Sequence, residues 1–189
     1  SNTQKDTSQH ASNWKHKKQE QSSAKANIQY KDDIEAFNQW VMKSEGKVDL
    51  DHEYTHDGLT KLVAAITAIS KAENVKITDF SKKKAQIMKL ADEMRKNRYS
   101  DEHADMAREA FILSANLLNA IQQENNFSNC SPAVSAVSKA AQQIDPAKLM
   151  TPQADAIYNF FDKARKAVNS MSGEITWVDH TQSTQSESK

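Results

Sequence analysis

Apolar residues recur at helical spacing through most of the chain. Ile34, Phe37, Trp40 and Val41 stand at i, i+3, i+6 and i+7. That spacing predicts a first helix from about Lys31 to Ser44, ended by Gly46. Leu59, Leu62, Val63, Ile66 and Ile69 predict a second helix ending near Asn74. A third, over Asp79 to Arg98, places Phe80, Ile87, Leu90, Ala91 and Met94 on one side. A fourth runs to Glu124 with Ser100 as its expected N-cap, and Asp101, Glu102 and Asp105 follow where the helix dipole favours acids. Its apolar set (Met106, Ala107, Ala110, Phe111, Leu113, Ser114, Leu117, Leu118, Ile121) is too wide for one neighbour, so it reads as a central helix.

Proline punctuates the last third of the chain. Ser131-Pro132 starts a fifth helix carrying Val134, Val137, Ala141 and Ile144, and Asp145-Pro146 ends it. Thr151-Pro152 starts the last helix, whose buried side is Ile157, Phe160, Phe161, Ala164, Val168 and Met171. Gly173 is its expected stop. Ile175, Thr176, Trp177 and Val178 then read as a short extended segment docked on the bundle. Residues 1–27 are rich in Ser, Gln, Asn and Lys, with Trp14 as their one large apolar side chain. A segment of that kind buries too little apolar surface to offset its chain entropy, so it reads as a disordered tether. Residues 179–189 read the same way, which leaves 28–178 as a single helical domain.

Composition narrows the class further. With only Gly 3 and Pro 3, the chain lacks the turn signals that an all-β fold needs. The prediction is an all-α bundle of five or six helices with polar, disordered termini. A single cysteine excludes a disulfide scaffold. No apolar run approaches the roughly 18 residues of a membrane span. Lys+Arg 25 balance Asp+Glu 25, which argues against a protein built mainly to grip nucleic acid. The long polar lead-in and the missing initial Met fit an exported, envelope-associated protein with its signal removed. They equally fit a chain trimmed at a tag, and the cytoplasm is then the alternative compartment.

One motif carries chemistry. His52-Glu53-Tyr54-Thr55-His56 has the form H-E-x-x-H. On a helix, imidazoles four residues apart share one face and can both ligate zinc, and the glutamate can act as general base on metal-bound water. In these five residues the sequence resembles the zinc-metalloprotease (zincin) signature. The resemblance implies His52 and His56 as metal ligands, Glu53 as base and peptide hydrolysis as the reaction.

The surroundings depart from that pattern. Asp51 and Asp57-Gly58 flank the motif, where a half-buried active-site helix calls for uncharged neighbours. No strand pattern is present, and no downstream histidine stands at the extended spacing. Glu73, 17 residues past His56 on the same helix, lies about 25 Å away and cannot be a third ligand. Glu102, His103 or Glu109 could be, if the fourth helix passes the start of the second. The start of that second helix is itself open. Asp51 as N-cap makes the motif helical, whereas Asp57 as N-cap leaves it in a loop.

Three further features have weaker chemistry. Glu53-x-x-His56 is one copy of the carboxylate–histidine pair of di-iron bundles, and a second copy is missing. Cys130 precedes a helix start, a place that can activate a thiol, but has no nearby histidine in sequence. Lys82, Lys83 and Lys84 occupy a first helical turn, where the dipole disfavours cations, and so form a candidate patch for an anion or an acidic partner. The leading expectation is a non-enzymatic helical binding or structural accessory protein that meets another protein and needs no cofactor. A zinc-dependent hydrolase is the alternative.

Overall fold

The computed structural model describes residues 29–45, 52–96 and 101–177, and of His52 only the backbone. Among the described residues the chain is all-α, a compact bundle of six helices. Helix α1 spans 29–43. It is followed by α2 (His52–Ala72), α3 (Phe80–Lys96), α4 (His103–Glu124), α5 (Ser131–Gln142) and α6 (Ala154–Glu174). Two short 3-10 turns, Ser128–Cys130 and Thr151–Gln153, lead into α5 and α6. The expected tether 1–27, the tail 179–189, the Gly46 stop, the Asp51 cap and Val178 lie outside the described residues.

The apolar stripes read from the sequence form the core. Ile34, Phe37 and Val41 of α1 are buried, as are Leu59, Leu62, Val63, Ile66 and Ile69 of α2. All six apolar residues expected on the inner side of α6 are buried. Trp40, Phe80, Met106 and Leu113 pack on the core edge as partly buried residues. The wide stripe of α4 has its predicted consequence: α4 packs against α2, α3, α5 and α6. Sequence neighbours are also neighbours in space, and α6 returns to α2 to close the bundle. Helix α1 is fastened to α6 by the Asn38 amide, which donates to Asn169 Oδ1, and to α2 by the Tyr54 hydroxyl, 3.2 Å from Ser44 Oγ.

Helix ends follow from local backbone chemistry. Asn74 and Asn126 adopt positive φ of 50° and 55° beyond α2 and α4. In each case the second amide past the cap reaches back to a helical carbonyl. Val75 N donates to Ser70 O at 2.8 Å, and Phe127 N to Gln122 O at 3.0 Å. These are Schellman closures, in which asparagine replaces the usual glycine. Helix α4 starts later than expected. Its N-cap position is Glu102, whose side chain makes no capping bond, and Ser100 lies outside the described residues. Helix α6 runs one residue past Gly173, and Ile175 then turns extended with ψ 132°. Ile175 is buried and the Trp177 indole donates to Ser172 O at 3.1 Å, so the residues after α6 fold against the bundle.

Candidate functional site

The H-E-x-x-H residues open α2, which begins at His52. The motif is therefore helical, and the alternative start at Asp57 does not occur. Its interior positions serve the core. Tyr54 is buried against Trp40 and Phe161, with ring centroids 4.8 Å and 5.9 Å away, and Thr55 is buried beside it. That orients the rest of the turn. Glu53 is exposed, and His56 turns to Asp92 of α3.

His56 is held between two carboxylates. Its Nε2 lies 3.0 Å from Asp92 Oδ1 on α3, and its Nδ1 lies 3.3 Å from Asp57 Oδ1. The ring is only 12% exposed, whereas Asp57 and Asp92 remain about half exposed. Glu53, His56 and Asp57 each bring one potential ligand atom into a group whose members lie within 4.8 Å of one another. Positions 53, 56 and 57 are i, i+3 and i+4, so one helical turn carries all three.

The other candidate residues are placed elsewhere. Of His52 only the backbone is described, so its role as a ligand lies outside the described side chains. Glu102, His103 and Glu109 do not join the Glu53–His56–Asp57 group. Glu109 instead accepts a hydrogen bond from Gln86 of α3 at 3.1 Å. The residues that sequence reasoning missed are Asp57 and Asp92. Asp57 was visible beside His56, but its obvious reading was a helix cap. Asp92 reaches His56 only because α3 packs on α2, and no local pattern announces that.

The lysine run divides by direction, because consecutive helical positions turn about 100° apart. Lys82 is exposed and Lys83 is partly covered. Lys84 folds back on the bundle, 5.0 Å above the Phe80 ring, and donates to Thr67 Oγ1 of α2 at 3.2 Å. Burial lowers its pKa, and the nearby Lys71 adds to that. Cys130 is fully buried and its sulfur accepts a hydrogen bond from Ser170 at 3.2 Å, which makes it a core residue. Among the described residues no helix is long and apolar enough to cross a membrane. The chain matches no family model, no curated protein and no solved structure.

Proposed function

We propose that the chain is a non-enzymatic helical protein that works by binding another protein. The observation that supports this is the use made of His56. Its Asp92 contact fastens α2 to α3, and its motif neighbours Tyr54 and Thr55 are buried in the core. The same economy holds for Lys84 and Glu109, which link α3 to α2 and α4. An exported, envelope-associated setting belongs to this reading through the spacer-like polar composition of residues 1–27.

The second reading is a zinc-dependent hydrolase with His52 and His56 as ligands and Glu53 as base. The helical start at His52 favours it, because only a helix brings positions 52 and 56 onto one face. One experiment separates the two. The purified protein is assayed against a mixed peptide substrate with and without added zinc, beside Glu53→Gln. The expected result is no turnover above background in either protein. In parallel, His56→Ala and Asp92→Ala each lower the unfolding midpoint. Their double-mutant cycle gives a coupling of about 0.5–1 kcal/mol, as for a partly solvated pair. Zinc-dependent hydrolysis that vanishes in Glu53→Gln overturns the binding reading.

A further inference from the structure

The two contacts of the His56 ring are not equivalent. The shorter one joins Nε2 to Asp92 Oδ1 at 3.0 Å. An ionised carboxylate can only accept, so taking the shorter contact as the donated one puts the hydrogen on Nε2. The neutral ring then turns the Nδ1 lone pair toward Asp57 Oδ1, 3.3 Å away. Two acceptors facing each other at that distance leave room for a positive centre beside them. A second ring proton is one such centre, and a metal cation is another.

The surroundings favour the cation. Glu53 adds a second carboxylate to the same spot, within 4.8 Å of the other two donor atoms. Among the described residues, Glu53, Asp57 and Asp92 make no ion pair with lysine or arginine. Asp92 stands where a metal-bound imidazole usually has its orienting carboxylate, on the nitrogen away from the ion. The positive end of the α2 dipole works against a cation, and the three carboxylates around the imidazole oppose it. A shared ion at about 2.0–2.2 Å from each donor holds donors no more than about 4.4 Å apart. The carboxylates of Glu53 and Asp57 are exposed enough to close that small difference by rotation.

We propose that Glu53, His56 Nδ1 and Asp57 form a tripod for a first-row divalent cation such as zinc, with Asp92 as the positioning residue for His56. One nitrogen and two carboxylate oxygens suit such an ion better than magnesium or calcium, which take oxygen alone. The tripod lies on one helical turn and does not use His52. It therefore differs from the zincin pair and needs no hydrolytic activity.

The test is titration of the full chain with cobalt, read by its visible absorption, and with zinc, read by calorimetry. The parent is expected to bind one ion that His56→Ala abolishes. Glu53→Gln and Asp57→Asn weaken binding at least about tenfold, and Asp92→Asn weakens it about 10–100-fold, the usual range for an orienting partner. His52→Ala leaves binding unchanged. Glu53 is exposed and outside the core, so Glu53→Gln keeps the helical circular dichroism and reports on the site even where His56→Ala loosens the fold. Failure of the parent to bind either ion overturns the tripod. Loss of binding in His52→Ala equal to that in His56→Ala also overturns it and restores the H-E-x-x-H pair. Neither outcome depends on peptide hydrolysis, so it stands apart from the test of the binding reading.

Discussion

Gly58 sits inside α2, where glycine costs about 0.5–1 kcal/mol relative to alanine. Its reason is contact. A Cβ built there would lie 2.5 Å from Phe161 Cζ and 2.6 Å from Trp40 Cη2. Both atoms belong to rings wedged in the aromatic cluster, where Trp40 and Phe161 stand 5.2 Å apart edge to face. We therefore expect Gly58→Ala to destabilise although it improves helix propensity. Overpacking of about 1–3 kcal/mol exceeds a propensity gain of about 1 kcal/mol. Chemical denaturation checks this, and an unchanged or raised midpoint would mean that the rings move aside cheaply. The sequence placed Gly58 beside a candidate helix start. It could not show that rings of α1 and α6 press on the backbone of α2 at this residue, because the contact with Phe161 joins positions about a hundred residues apart.

At the scale of elements, one side chain organises the connection from α5 to α6. Gln153 is buried and turns its amide back on the loop. Its Oε1 accepts from Asp145 N at 2.7 Å, and its Nε2 donates to Asp145 O at 2.9 Å and Leu149 O at 3.1 Å. Asp145 adds a bond from Ala147 N at 2.9 Å. Thr151-Pro152 announced a helix start, and the chain does turn there, but as a 3-10 turn that delivers Gln153 to this position. Gln153→Ala strands partly buried backbone groups at about 1–3 kcal/mol for each one that water cannot reach. We expect faster tryptic cleavage after Lys148, which is exposed at the loop's surface, with the helical signal retained. Equal cleavage rates in parent and variant would show that the loop is fixed by Pro146 and Pro152 alone. The α2–α3 pairing follows the same logic. Amphipathic stripes predict that helices pack, whereas the His56–Asp92 and Lys84–Thr67 contacts depend on the register in which they meet.

For the whole molecule, a run of five aromatic rings ties four helices together. Trp40 of α1, Tyr54 of α2, Phe111 of α4 and Phe160 and Phe161 of α6 meet in successive contacts, with Phe111 stacked on Phe160 at 3.9 Å. Burial there pushes the Tyr54 hydroxyl above its ordinary 10.0, and Tyr158 adds to this while the Ser44 hydrogen bond opposes it. Burial also raises Tyr158, helped by Asp162 and Glu45. A raised folded pKa gives stability that is full below the unfolded value and is lost as pH rises through the folded one. Asp162 has the opposite sign. Burial pushes its carboxyl up, but hydrogen bonds and charge from Arg165 and Lys166 outweigh that and hold it below 3.8. Its contribution is present above the unfolded value and is lost as pH falls through the folded one. Urea midpoints measured against pH should thus fall at both ends. Tyr54→Phe should flatten the fall above pH 10.0, and Asp162→Asn the fall below pH 3.8. An alkaline limb unchanged in Tyr54→Phe would assign that limb to other groups.

The sequence by itself determined the class of fold, the place of each described helix to within a few residues and most of the large core side chains. Those properties are set by apolar periodicity and by prolines acting on neighbouring backbone, which are local along the chain. It also determined that residues 52–56 carry the one pattern with metal chemistry. Tertiary structure decided what that pattern touches. Asp92 reaches His56 from 36 residues away, Lys84 turns inward to Thr67, and Glu102, His103 and Glu109 stay out of the group. Side-chain contacts of this kind depend on the rotation and register of one helix on another. Those are fixed by the fit of the whole core, in which Gly58 lies directly under the aromatic rings.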